Sequence, residues 1–148
     1  MSAPITKPAA DKAMRHRVLI VDDEESMRLF LARILTNALR AEVTLAGTCE
    51  QALHLAGNYA YDAILLDLLM PGIGGHEVLA RLRRASPNVA TPLIIVSVLA
   101  DQATQDRCMK SGATGYLVKP VDRGTLVSAV KAQLASRSKP KSRGKDDA

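Results

Sequence analysis

An aspartate pair at Asp22–Asp23, a third aspartate at Asp67, a serine at Ser97 and a lysine at Lys119 could do chemistry together. Each stands at the carboxyl end of a short apolar run: "RVLIV" before Asp22, "AILL" before Asp67, "PLIIV" before Ser97 and "GYLV" before Lys119. Three carboxylates brought close repel, and one takes up a proton unless a cation joins them. Oxygen ligands without His or Cys suit Mg²⁺, which favours one or two carboxylates, waters and a phosphate oxygen. A carboxylate can attack phosphorus to give an acyl phosphate, with a metal ion and a lysine offsetting the charge on the transferred group. In that chemistry Asp67 is the phospho-acceptor, a cation joins the carboxylates, Lys119 neutralises the phosphoryl group and Ser97 hydrogen-bonds to it. Taken singly, a strand-terminal Asp is an ordinary turn or cap residue, and Asp22–Asp23 alone could cap the helix that follows. The joint occurrence on four strands favours the site.

The elements that must position these groups alternate along the chain. "RVLIV" (17–21) reads as a first strand, and "SMRLFLARILTNAL" (26–39) as a helix with Met27, Phe30, Leu31, Ile34 and Ala38 on one face and Arg28, Arg33 and Asn37 elsewhere. "EVTLA" (42–46) is a second strand, ending in the small residues Ala46 and Gly47. Thr48 and Gln51 have capping-box spacing ahead of a short helix through Leu53 and Ala56. "AILLD" (63–67), "PLIIVS" (92–97) and "GYLV" (115–118) are the remaining strands. "HEVLARLRRAS" (76–86) is the third helix; "QATQDRCMKSG" (102–112), closed by Gly112, is a fourth with the weakest apolar stripe. Asp122 caps a fifth carrying Leu126, Val130 and Leu134. The first, third and fourth strands lack alternation, as when helices cover both faces. Five βα units in succession predict a doubly wound parallel sheet in a three-layer sandwich, where ligands bind beyond the carboxyl ends of the strands.

Composition sets the wider bounds. A chain of 148 residues with 47% hydrophobic and 24% charged residues is that of one ordinary globular domain. No apolar run is long enough for a membrane span or a signal peptide, so the expected location is the cytoplasm. The net charge of +5 resides in the ends: residues 1–17 and 137–148 carry +3 each, against −1 for 18–136. Segments 1–16 and 138–148 are expected to be disordered basic tails or a linker flanking a domain at 17–137. No nucleic-acid binding is expected from this chain alone, because aromatic stacking partners are absent. Cys49 and Cys108 read as reduced thiols in or near the core, and His16, His54 and His76 show no metal-ligand spacing.

The stretches "VLIVDDEE", "YDAILLDLLMPGIGG", "PLIIVS" and "SGATGYLVKP" are similar to the receiver domains of bacterial two-component response regulators, over roughly residues 17–137. Asp67 falls 44 residues after Asp23, Ser97 30 after Asp67, and Lys119 22 after Ser97, which agrees with that family's spacing. The resemblance implies a flavodoxin-like sheet of order 2-1-3-4-5, phosphorylation of Asp67 by a histidine kinase or histidine phosphotransfer protein, and Mg²⁺ on Asp22, Asp23, Asp67 and the backbone carbonyl of Leu69. It implies that Ser97 and Tyr116 form the switch, that the bond before Pro120 is cis, and that helix four, strand five and helix five present the signal. It further implies an effector protein or an output domain beyond this chain as the downstream partner, leaves room for a phosphorylation-dependent homodimer, and implies no enzymatic activity beyond self-catalysed phosphotransfer and autodephosphorylation. Three positions depart from the usual pattern. Val98 is bulkier than the common Ala or Gly and is expected to crowd the pocket. Leu69 and Leu99 replace residues that are often polar, which predicts slow loss of phosphate. The alternatives are a phosphorylation-independent scaffold and a phosphohydrolase of the haloacid-dehalogenase type, although the latter needs a second Asp where Leu69 stands. A nucleotide-binding protein is disfavoured by the absence of GxxxxGK.

Overall fold

In the computed structural model, which describes residues 15–136, five parallel strands lie in the order β2-β1-β3-β4-β5. The chain runs β1 (Arg17–Val21), α1 (Glu25–Leu39), β2 (Glu42–Ala46), α2 (Cys49–Asn58), β3 (Ala63–Leu66), α3 (Gly74–Arg84), β4 (Leu93–Ser97), α4 (Gln102–Lys110), β5 (Gly115–Val118) and α5 (Arg123–Ala135). The expected alternation, strand order and three layers are all present. The tails expected at 1–16 and 138–148 lie outside the described residues, apart from the last two positions of the first.

Alternate residues of each central strand enter different cores. Val18, Ile20, Ala63, Leu65, Ile94 and Val96 pack against Leu31, Ile34 and Leu35 of α1 and Leu126, Val130 and Leu134 of α5. Leu19, Val21, Ile64, Leu66, Leu93 and Ile95 pack on the other face against residues of α2, α3 and α4. This two-sided burial accounts for the unbroken apolar runs. The register Val21↔Leu66 and Leu66↔Ile95 brings the ends of β1, β3 and β4 to one edge.

The structure corrects several local expectations. Phe30 is 44% exposed, and the buried stripe of α1 is Leu31, Ile34 and Leu35. Helix α3 begins at Gly74, two residues early, and stops at Arg84, because Ser86 turns its hydroxyl back onto the Leu82 carbonyl (2.9 Å). Strand β3 ends at Leu66, so Asp67 stands one residue past it. Thr48 caps α2 as expected, accepting from the Gln51 N–H (3.0 Å), while the Gln51 side chain reaches the N–H of Gly47 rather than that of the cap (2.7 Å). Asp122 caps α5, and Asp101 caps α4 in the same way. The carboxylates of Asp22 and Asp23 do not cap α1; its first residue follows Glu24, which makes no side-chain cap bond.

Arg83 ties α3 to the segment that follows α4. The Arg83 guanidinium donates twice to the Gly112 carbonyl (2.8 and 3.0 Å), and to the carbonyls of Asn88 (2.8 Å) and Val89 (3.2 Å). Gly112 takes φ +113°, a left-handed conformation suited to glycine after a helix end.

Candidate functional site

The ladder hydrogen bonds continue just far enough to deliver the acids. The Asp22 N–H donates to the Ala46 carbonyl (3.1 Å) and the Asp67 N–H to that of Val21 (3.0 Å). The Lys119 N–H donates to the Ser97 carbonyl (2.8 Å), and Lys119–Pro120 is a cis peptide bond. Asp22 and Asp67 are buried, 2% and 5% exposed, Ser97 is fully buried, and Asp23 lies open at the rim. Oxygens of Asp22, Asp23 and Asp67 all lie within 4.8 Å of one another.

Hydrogen bonds hold these buried acids in place. Asp22 Oδ1 accepts from the Glu24 N–H (2.9 Å) and Oδ2 from Lys119 Nζ (2.8 Å). Asp67 Oδ1 accepts from the Leu69 N–H (3.2 Å), and its Oδ2 lies 3.6 Å from Lys119 Nζ. Burial pushes the Asp67 carboxyl up; Lys119 pulls it back and the neighbouring Asp22 adds to the rise. Burial is also the largest single influence on Lys119 and would lower it, but the hydrogen bond to Asp22 and the charges of both aspartates together raise it. The two shifts fit the distances, since the ammonium serves Asp22 first and leaves Asp67 under-compensated. Three hard oxygen donors, two of them buried, with one ammonium between them, suit a divalent cation such as Mg²⁺.

The loop after Asp67 is held close to α3. Gly75 donates its N–H to the Leu68 carbonyl (3.1 Å), and a Cβ there would collide with the Asp67 carbonyl and come within 2.7 Å of Leu68 Cα. The Cys49 thiol donates to the Pro71 carbonyl (3.6 Å) from the start of α2. Both cysteines are free and buried; His54 is exposed, and His76 lies 3.9 Å from the Cys108 sulfur. No histidine joins a metal-binding group among the described residues.

Leu99 connects Ser97 to Tyr116. Its N–H donates to Ser97 Oγ (3.2 Å), and its carbonyl accepts from the Tyr116 hydroxyl (2.7 Å). Tyr116 is half-buried against the core, and burial, with Cys108 nearby, raises its hydroxyl despite an opposing interaction with Ser97. Val98 is 57% exposed, so its side chain stands at the surface next to the buried Ser97. Leu69 is 51% exposed beside Asp67.

The sequence reading missed Arg28. From the first turns of α1 its Nη1 donates to the Asp22 carbonyl (2.7 Å). A bond to a backbone carbonyl leaves no mark in residue type or spacing, and an arginine off the apolar stripe looks like any surface residue.

The model of the response regulator receiver domain matches residues 18–131. The chain is similar to the response regulator GacA of Pseudomonas aeruginosa, 32% identical over 122 residues that cover 82% of this chain and 56% of GacA. The chain thus spans about half the length of such relatives. Among solved structures, a CheY-like receiver domain protein from Methanospirillum hungatei superposes with a TM-score of 0.77 at 26% identity, covering 82% of this chain and 95% of that one. The receiver domain of the sensor histidine kinase PA1611 from Pseudomonas aeruginosa, solved with a magnesium ion coordinated in its active-site cleft, has a TM-score of 0.74 at 26% identity, covering 82% and 98%. With a parallel sheet of order 2-1-3-4-5 and an acidic edge at its carboxyl end, the chain belongs to the receiver domains of two-component response regulators.

Proposed function

We propose that Asp67 accepts a phosphoryl group from a sensor histidine kinase or a histidine phosphotransfer protein in the cytoplasm, and that the phospho-form changes a protein-binding surface. The observation that carries this reading is the meeting of Asp22, Asp23 and Asp67, with oxygens within 4.8 Å, beside Lys119 on the edge that also carries Ser97. A carboxylate oxygen of Asp67 attacks phosphorus as the bond to the donor imidazole nitrogen breaks, and the imidazole keeps that electron pair. Asp22, Asp23, Asp67 and the Leu69 carbonyl would hold Mg²⁺, which, when bound, offsets the charge on the phosphoryl oxygens. Lys119 supplies a second positive charge, and the Ser97 hydroxyl donates to a phosphoryl oxygen. No further enzymatic activity is proposed.

The signal follows from the double hold on Leu99. When Ser97 turns toward the phosphoryl group, the Leu99 N–H loses its acceptor and the loop before α4 shifts. The Tyr116 hydroxyl already rests on the Leu99 carbonyl, so phosphorylation biases an equilibrium in which this inward position is available beforehand. The readers of the change are an effector protein, an output domain or a second copy of the chain.

Incubation with acetyl phosphate and MgCl₂, followed by intact mass, tests the reading. One phosphoryl adduct is expected on the wild type and none on Asp67→Asn. A wild type without adduct sinks the proposal and favours a phosphorylation-independent scaffold.

A further inference from the structure

Arg28 sits outside the ring of acids, yet its contacts converge on the loop that carries two of them. Its Nη1 donates to the carbonyl of Asp22 at 2.7 Å. The rest of the guanidinium lies where a side chain at position 47 would be: a Cβ on Gly47 would come within 2.8 Å of Nη1, 3.1 Å of Cζ and 3.5 Å of Nη2. The Gly47 N–H is itself fastened to Gln51 Oε1 (2.7 Å) at the start of α2. Arg28 therefore bridges the β1–α1 loop to the β2–α2 loop through a space that only glycine leaves open.

Resting on the Mg²⁺ reading above, we infer that Arg28, seated against Gly47, is a positioning residue that fixes the Asp22 backbone so that Asp22 and Asp23 face Asp67 for the divalent ion. The loop needs such a hold because the metal-free acids repel one another across less than 4.8 Å. The carboxylate of Asp22 is already restrained by Lys119 and the Glu24 N–H. Its carbonyl is the remaining polar group, and Arg28 takes it. Groups that orient metal ligands from outside change affinity by large factors when removed.

The sign of the effect separates positioning from mere charge. A cation near a divalent-ion site repels the ion, so removing the charge alone tightens binding. Loss of the positioning bond loosens it. Isothermal titration of the full chain with MgCl₂ is expected to show a Kd raised roughly tenfold in Arg28→Ala, with Arg33→Ala, an exposed α1 arginine, as the charge-matched control that stays at the wild-type value or below it. Gly47→Ala displaces the guanidinium and keeps the charge; it is expected to weaken Mg²⁺ in the same direction. In amide spectra of the metal-free protein, Asp23 and Glu24 are expected to move in both variants. A circular-dichroism melt confirms that each variant is folded, and Gly47→Ala decides the matter if Arg28→Ala is not. Unchanged or tighter Mg²⁺ binding in the folded variants overturns the inference alone. A wild type that takes up no Mg²⁺ overturns the functional reading beneath it.

Discussion

The ammonium of Lys119 lies 2.8 Å from Asp22 and 3.6 Å from Asp67, so it holds a proposed metal ligand more tightly than the proposed phospho-acceptor. The pair is well buried, with side chains 11% and 2% exposed. Removing one partner of such a pair leaves an uncompensated charge, at a cost of about 3 kcal/mol. Lys119→Met is therefore expected to lose that much stability without Mg²⁺ and to recover most of it when MgCl₂ replaces the missing cation. Urea unfolding with and without the salt measures both. A loss that MgCl₂ leaves untouched would show that the acids do not cradle the ion.

Asp67 gives a pH dependence of known sign. Its folded carboxyl is raised above the ordinary 3.8 by burial, with Lys119 opposing and Asp22 assisting. The folded state then keeps the proton to higher pH than the unfolded chain does, so stability falls as pH rises from 3.8 through the raised value. In EDTA, Asp67→Asn is expected to unfold at higher urea than the wild type at neutral pH. The advantage disappears below the ordinary carboxylate value, where Asp67 is protonated in both states. An equal gain at all pH values would mean that ionisation of Asp67 carries no penalty.

If Asp67 is phosphorylated as proposed, the apolar side chain at Leu69 would bear on how long the phosphoryl group lasts. Its N–H is on Asp67 Oδ1, its side chain is half open to solvent, and it offers no polar atom to orient an attacking water. Leu99 is apolar as well and packs toward the core. Phosphate loss in MgCl₂ is expected to take minutes or longer. Leu69→Asn should shorten the lifetime on the order of tenfold by holding the water. Decay followed on phosphate-affinity gels measures it, and equal lifetimes would refute the role of the side chain.

At Gly75, α3 passes directly against the backbone of Asp67 and Leu68. Gly75→Ala drives a methyl into the Asp67 carbonyl and Leu68 Cα. The expected cost is about 2 kcal/mol, together with a weaker Mg²⁺ affinity. Thermal melts and titration check the two effects. A variant as stable as the wild type would mean that the helix start yields freely.

Much of this arrangement was legible in the residues, for identifiable reasons. Ile64, Leu65 and Leu66 form a continuous run because both faces of β3 are covered, and that same fact puts Asp67 at the edge of the sheet. Boundaries were less legible where local and tertiary preferences conflict. Gly74 and Gly75 look like turn residues, yet they open α3: Gly74 takes φ +85°, and Gly75 lies so close to the Asp67 backbone that a Cβ would collide with it. Phe30 is as apolar as its neighbours and lies outside, since burial on α1 depends on what faces it. Buried Asn88, in the turn between α3 and β4, bonds the carbonyls of Ala56 and Tyr59 and the Tyr61 N–H, which lie 32, 29 and 27 positions away. Such partners exist only after folding, as do the Lys119–Asp22 bond across 97 positions and the seat of Arg28.

The Arg83 tie makes α4 a lever with its fulcrum at one end. Beyond Lys110 the chain is pinned through Gly112 to α3, and Cys108 is the buried residue of the helix. Among the described residues, the hydrogen bonds of its other end run within the segment itself, from the Thr104 N–H to Asp101 and from Gln105 to the Ala100 carbonyl. On the proposed function, a small displacement at Leu99 is expected to swing the Gln102 end while the Gly112 end stays tied to Arg83. Amide exchange is expected to be faster at 104–106 than at 111–113, and Arg83→Ala should erase that gradient by freeing the pivot.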